Sequence, residues 1–198
     1  MARVGLSKPY VARYNVSEEG AVSYTDGVQF DRAVSTSFSP DSSEDNILYG
    51  DNGPAESDKT FGGGTLTVGT TELPLDVAAV LFGLTVEEVK VGEATGRKIT
   101  FGGSGSIPYI GYGVIVKKSV NNVLKFMAVV FRKVQFAYPG DDYETQGKTI
   151  SWKTPSLTAS VMRDDTAERN WRDWVDFDTE AAAEAYIKQE LGDSTVTA

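Results

Sequence analysis

Along most of the chain, apolar and polar residues alternate with a period of two, in short runs rich in β-branched and aromatic side chains and bounded by Gly, Asn and Asp. Such runs read as half-buried β-strands. Residues 11–16, 21–25, 28–30 and 35–38 come first. Asp26-Gly27, between the second and third, predicts a two-residue hairpin, because a type I′ turn needs positive φ at both central positions. Residues 64–69 set Leu66 and Val68 against threonines. Residues 86–91, 98–101, 109–118, 123–136, 149–152 and 157–161 complete the set. Asn121-Asn122 joins the two longest, predicting a hairpin with arms of about 30 Å at ~3.3 Å per residue.

The period changes in two places. Pro74 suits a first helical position, Leu75, Ala78, Ala79, Leu81 and Phe82 make an apolar face, and Gly83 suits a left-handed stop. A second helix is predicted from an Asp178 cap through Ala181-Ala182-Ala183, Tyr186 and Ile187 to Gly192. Residues 38–60 read as a long loop, since Asp51-Asn52-Gly53-Pro54 combines turn formers with a missing backbone donor. The chain is thus expected to be mainly β: a two-sheet sandwich or partial barrel with a flanking helix and a long extended loop. At 198 residues with 40% hydrophobic side chains one domain is expected, 1–198. Residues 1–8 form an amino-terminal arm with little to bury against, and 164–198 form a carboxy-terminal segment with its helix.

Composition narrows the chemistry. Cysteine and histidine are absent, which removes disulfides, thiolate nucleophiles, the usual zinc ligands and every Ser-His or Cys-His constellation. A net charge of −9 argues against nucleic-acid binding, which draws on Lys and Arg to neutralise phosphates. The apolar runs at 77–81 and 126–131 fall far short of the roughly 20 residues of a membrane-spanning helix. The opening MARVGLSKPYVARYNV lacks a secretory leader's apolar core, so the chain is expected to stay in the cytoplasm where it is made.

The charge is segregated. Residues 38–60 carry Asp41, Glu44, Asp45, Asp51, Glu56 and Asp58 against Lys59, and 164–198 are likewise acidic. Residues 84–134 hold Lys90, Arg97, Lys98, Lys117, Lys118, Lys125, Arg132 and Lys133 against Glu87, Glu88 and Glu93. Such asymmetry is either a solvated surface or the means by which copies of one protein meet head to tail.

Other motifs fail on inspection. Gly147-Lys148-Thr149 resembles the end of a phosphate loop, but Asp142 stands where its first Gly is needed and a strand follows instead of a helix. Gly62-Gly63-Gly64 and Gly102-Gly103-Ser104-Gly105 open no helix and read as strand-end turns or bulges. Asp141-Asp142 and Asp164-Asp165 could supply the two carboxyls of a glycosidase, ~5–9 Å apart, but adjacent acids in turns are ordinarily solvated. Trp171-Arg172-Asp173-Trp174 either anchors the carboxy-terminal segment or meets a partner, where Trp and Arg are enriched.

In order along the chain, ARVGLSKPYVARY, DNILYGDNGPAE, GGGTLTVGTTELPLDVAAVLFGL, QGKTISWKTPSLTASVM and the acidic aromatic ending resemble the major tail tube proteins of long-tailed bacteriophages. The resemblance spans nearly the whole length. It implies a structural virion protein of the tail, assembled in the bacterial cytoplasm. Subunits would close into hexameric rings that stack into a hollow tube for genome delivery. The implied partners are further copies of itself, the tape-measure protein, the tail terminator and distal tail proteins, with DNA only passing through the lumen. No membrane, cofactor, metal or catalytic residue is implied.

Asp41, Glu44, Asp45, Tyr49, Asp51, Asn52, Glu56, Trp171 and Trp174 become candidate assembly contacts, with the acidic loop expected to meet the basic middle of a neighbour. Tyr109, Tyr112, Val114, Val116, Val123, Phe126, Val129 and Phe131 become a candidate tube-wall hairpin. Alternation alone leaves its lumen face open, and Lys117, Lys118 and Lys125 sit badly in an acidic channel. The competing expectation is a carbohydrate-binding or carbohydrate-active β-sandwich that uses the tryptophans.

Overall fold

The structure, a computed structural model, describes residues 2–30, 32–42, 46–50, 53–58, 60–102, 105–141, 143–145 and 154–192, with backbone alone for 42–58. In chain order the elements are β1 (Ala2–Val16), β2 (Val22–Gln29), β3 (Ala33–Ser42), β4 (Asn46–Gly50), β5 (Gly53–Asp58), β6 (Phe61–Thr70), α1 (Leu75–Phe82), β7 (Val86–Val91), β8 (Ala94–Ile99), β9 (Ile110–Val120), β10 (Val123–Phe136), β11 (Ser156–Met162), β12 (Arg172–Phe177) and α2 (Glu180–Glu190). Eight strands make one antiparallel sheet in the order β2-β1-β9-β10-β11-β6-β3, with β12 branching from β10. Among the described residues, β4–β5 and β7–β8 are hairpins paired only with themselves. Among the described residues the sheet does not close into a barrel: β2, β3 and β12 each keep an unpaired edge.

β9 and β10 are apolar on both faces, which places them at the centre. One face sends Tyr112, Val114, Val116, Met127, Val129 and Phe131 into the main core, against Leu66, Val68 and Leu157 of the β11–β6 layer and Val77, Leu81 and Phe82 of α1. The other face carries Ile115, Ala128 and Val130 beneath Ala183, Ile187 and Leu191 at the end of the chain. β10 is also the corner of the fold. Residues 126–131 pair with β12, residues 133–136 pair with β11, and the register against β9 shifts between Phe131 and Val134. That bulge lets Phe131 and Val134 both reach the main core while the strand bends and changes neighbours.

Several expectations are corrected. Asp26-Gly27 does not turn a hairpin but lies inside β2, where Val11↔Val28 and Arg13↔Thr25 leave an extra residue opposite Ala12. Asp26 still has positive φ, 53°, because a bulge and a tight turn make the same demand on the backbone. A side chain at Gly27 would meet the Tyr10 hydroxyl at 2.2 Å. The real turn is 17–20, with Gly20 at φ 81°. The arm 2–8 is the first half of β1 and pairs with the far end of β9, which is long enough to receive it.

Gly53 and Pro54 are not irregular but open β5, opposite Gly50 and Tyr49 beside a register shift. Pro is tolerated there because a two-stranded hairpin has an outer edge on which no donor is needed. Pro74 caps α1 from outside, with Gly83 as the left-handed stop at φ 66°. Thr179, not Asp178, caps α2: its hydroxyl accepts from the Ala182 amide at 3.2 Å, while Asp178 pairs with Lys125. The 98–101 strand is instead β8. The strand expected at 149–152 and the Gly147-Lys148-Thr149 motif lie outside the described residues. The Asn121-Asn122 turn forms with φ 51° and 61°.

Candidate functional site

Between the two layers of the fold the main core stays open at one end, as a cleft of about 600 Å³. Val114 and Val116 of β9 and Met127, Val129 and Phe131 of β10 form its floor. Leu6 of β1 and Phe38 and Pro40 of β3 wall it, and Arg3, Trp171, Arg172 and Trp174 stand at its mouth. A second hollow shares Arg3, Met127 and Trp174 and runs on to Lys118 and Asp176, so the two form one groove. β12 supplies Arg172 and Trp174 together because they are two apart on a strand, in register with Phe131 and Val129. At the inner end the Tyr112 and Thr36 hydroxyls are 2.9 Å apart, and burial pushes the Tyr112 phenol up.

Arg172 is held by aromatic faces. Its guanidinium carbon lies 4.1 Å from the Trp174 ring centre, 4.3 Å from Trp171 and 5.2 Å from Phe38, distances at which the ring quadrupoles attract a cation. Trp171 is fixed in turn by stacking on Phe61, with ring centres 4.1 Å apart. Burial and then the nearby charge of Arg3 both lower the Arg172 pKa. Among the described residues no carboxylate pairs with Arg3 or Arg172.

The basic middle of the chain is different, because it is already neutralised. Arg97 pairs with Asp76, Lys98 with Glu87, Lys117 with Glu180, Lys118 with Asp176, Lys125 with Asp178, Arg132 with Asp173 and Lys133 with Asp165. Most of these acids belong to the carboxy-terminal segment, so two of the three charged blocks cancel within one chain.

Asp164 and Asp165 are not a solvated pair. Asp164 is 2% exposed, accepts from the Thr166 hydroxyl at 2.7 Å and lies 4.0 Å from Arg132. Asp165 accepts from the Tyr14 hydroxyl at 2.9 Å and from Lys133 at 2.5 Å. Lys133 chiefly, with Tyr14, outweighs the effect of burial and lowers the Asp165 carboxyl. Burial pushes the Tyr14 phenol up to about 12. Both acids tie the loop before β12 to β10 and β1, and neither faces a cleft. Asp141 is exposed, and Asp142 lies outside the described residues.

The structure brings together part of the residues singled out from sequence. Trp171 is half-buried and Trp174 is 53% exposed, both at the groove mouth. Asp41 is exposed near the end of β3. Tyr49 lies on β4 and Glu56 on β5, while Glu44, Asp45, Asp51 and Asn52 lie outside the described residues. Tyr112, Val114, Val116, Val129 and Phe131 share the core face that floors the groove. Phe126 lies on the opposite face beside Phe177 and Tyr186, because it is out of phase with Val129. Val123 is exposed at the hairpin tip, and Tyr109 packs beside Tyr14 and under Lys133. Arg3, Leu6 and Met127 were not anticipated. The alternation of 172–177 was the signal for β12.

The fold defines a class: a mainly β protein built on one large, open antiparallel sheet with two helices. The chain matches no protein-family model and no curated protein sequence.

Proposed function

We propose that this protein is a structural subunit of a phage tail tube, polymerising through rings of six copies into a hollow conduit. The observation that carries the reading is the open sheet. Among the described residues three strand edges keep unpaired N–H and C=O groups, which are templates for further pairing. A protein that manages them by closing a multi-subunit sheet needs no other protection. The ordered resemblance of the sequence supports the same reading, as does the excess acidity of a wall past which DNA must slide. In this reading the tape-measure protein occupies the lumen before the genome, and terminator and distal proteins close the ends.

Negative-stain microscopy of concentrated protein tests it. Rings or hollow filaments of one diameter are expected. A protein that stays monomeric and binds a glycan with saturation would replace the reading with the carbohydrate one. The groove's tryptophans favour that alternative, but among the described residues its polar lining is Arg3, Thr36 and Arg172, with Asp176 at the far end already paired with Lys118.

A further inference from the structure

We infer that the groove between the two layers is the seat for a second copy of this chain, and that it receives the acidic hairpin β4–β5. The inference rests on the self-assembly reading above and adds which surface receives which. It also replaces the basic middle segment as the receiver, because among the described residues every cation there except Lys90 already has a carboxylate within its own chain.

The groove asks for an anionic partner with an apolar component. Its floor is apolar and buried while its mouth exposes Trp174, so a segment entering it meets apolar walls and one exposed aromatic ring. Arg3 and Arg172 are close enough for one charge to disfavour the other. A carboxylate between them would relieve that repulsion with charge-assisted hydrogen bonds. Trp and Arg at the centre of a desolvated pocket are the residue types that dominate binding energy between proteins.

The hairpin offers the complement. Its block carries six acids, Asp41, Glu44, Asp45, Asp51, Glu56 and Asp58, against Lys59, and its sequence couples them to the apolar run Ile47-Leu48-Tyr49. Among the described residues β4 and β5 pair only with each other, and a lone two-stranded hairpin is marginal in water. Such a hairpin gains stability once another surface covers it. The carboxy-terminal acids cannot play this part as well, since Asp165, Asp173, Asp176, Asp178 and Glu180 are already paired with lysines or arginine of the same chain.

The chain has no cysteine, so two single substitutions can report on one contact. Gly5 lines the groove and has room for a side chain, so purified Gly5→Cys and Glu56→Cys chains, mixed at high concentration under mild oxidation, should give a mixed disulfide dimer. Its yield should exceed several-fold that of Val91→Cys with Glu56→Cys, which probes an exposed residue of the basic middle. Placing Arg3→Glu and Arg172→Glu in the groove chain should reduce the yield to that background. The milder Arg172→Gln guards against misfolding, with near-ultraviolet circular dichroism as the check, and should give an intermediate yield.

Equal yields at both sites, no mixed dimer, or a yield indifferent to the arginines would each overturn the inference. So would a Gly5→Cys/Glu56→Cys double variant that closes within one dilute chain while the mixture stays uncrosslinked. Tubes seen by microscopy without this cross-link would sink the seat and leave the tube reading standing. The cross-link without tubes would do the reverse.

Discussion

The β9–β10 hairpin has two apolar faces, and the chain treats them differently. Over one face lies α2. Gly111 and Gly113 leave room for it, since a side chain at Gly113 would meet Ile187 at 2.4 Å and one at Gly111 would meet Leu191 at 2.5 Å. Around that patch runs a fringe of ion pairs: Lys8 with Glu184, Lys117 with Glu180, and Arg132 with Asp173 and Glu190. Over the other face the core opens into the groove, leaving Trp174 exposed and, among the described residues, Arg3 and Arg172 without a carboxylate. Equal alternation thus yields one face finished under α2 and one that forms the main core yet is left unfinished at the groove. The finished face should govern the stability of the subunit, and the unfinished one its association.

Four perturbations separate the two. The largest effect belongs to Ile187→Ala, which truncates a fully buried side chain of α2 and should cost about 2–4 kcal/mol in urea unfolding. A cost under about 0.5 kcal/mol would mean that α2 is dispensable, since changes that small are typical of surface positions. Gly113→Val should cost about 1–3 kcal/mol by overpacking, and Ile187→Ala placed behind it should restore part of the loss, because the void accepts the new methyls. Strict additivity of the two in unfolding experiments would break the claim that they touch.

Acid should loosen the same face. The Ser7 hydroxyl foremost and Lys117 lower the Glu180 carboxyl against the effect of burial. Burial alone would raise Glu184, but Lys8 and Lys188 outweigh it and the net shift is downward. A lowered folded-state carboxyl means that the unfolded chain binds more protons, so the stabilisation is complete above the ordinary Glu value of 4.5 and is lost as pH falls through the lowered one. Thermal midpoints should therefore drop as pH falls below about 4.5, the ordinary Glu range, and less so in Lys117→Met, where one of the pairs is gone. Midpoints rising on acidification would contradict the assignment.

The smallest effect on the isolated subunit should come from Trp174→Ala. It truncates a half-exposed side chain of an edge strand, and its unfolding free energy should move by no more than about 0.5 kcal/mol. Its assembly, followed by sedimentation, should fall sharply. A large loss of stability with assembly intact would invert the roles of the two faces.

Much of the central architecture was legible in the sequence because it rests on a period of two sustained over long runs. β10 has the bounds that its alternation predicts, and the Asn121-Asn122 turn forms as its residue types require. What alternation could not show are the places where a strand keeps its pattern but changes neighbour. The bulge at 131–134 and the branch of β12 depend on residues far apart in sequence, and Asp26-Gly27 satisfies a bulge as well as a hairpin. The groove was half legible. The Trp-Arg-Asp-Trp motif marked its mouth, but Arg3 and Met127 join it only through pairing with β9. The segregation of charge was visible, whereas the cancellation of two of its blocks within one chain needed the fold.

The central claim is that one apolar face is closed by the chain itself and that the open end of the other is proposed to be closed by a second copy. Hydroxyl-radical footprinting of Trp174 and Tyr186 in the same sample, from dilute to fully assembled protein, tests it most directly. The account predicts that oxidation of Trp174 falls steeply as assembly proceeds while that of Tyr186, packed against Phe177 under α2, stays constant. Oxidation of Trp174 at the same rate in the subunit and in the assembly would contradict it.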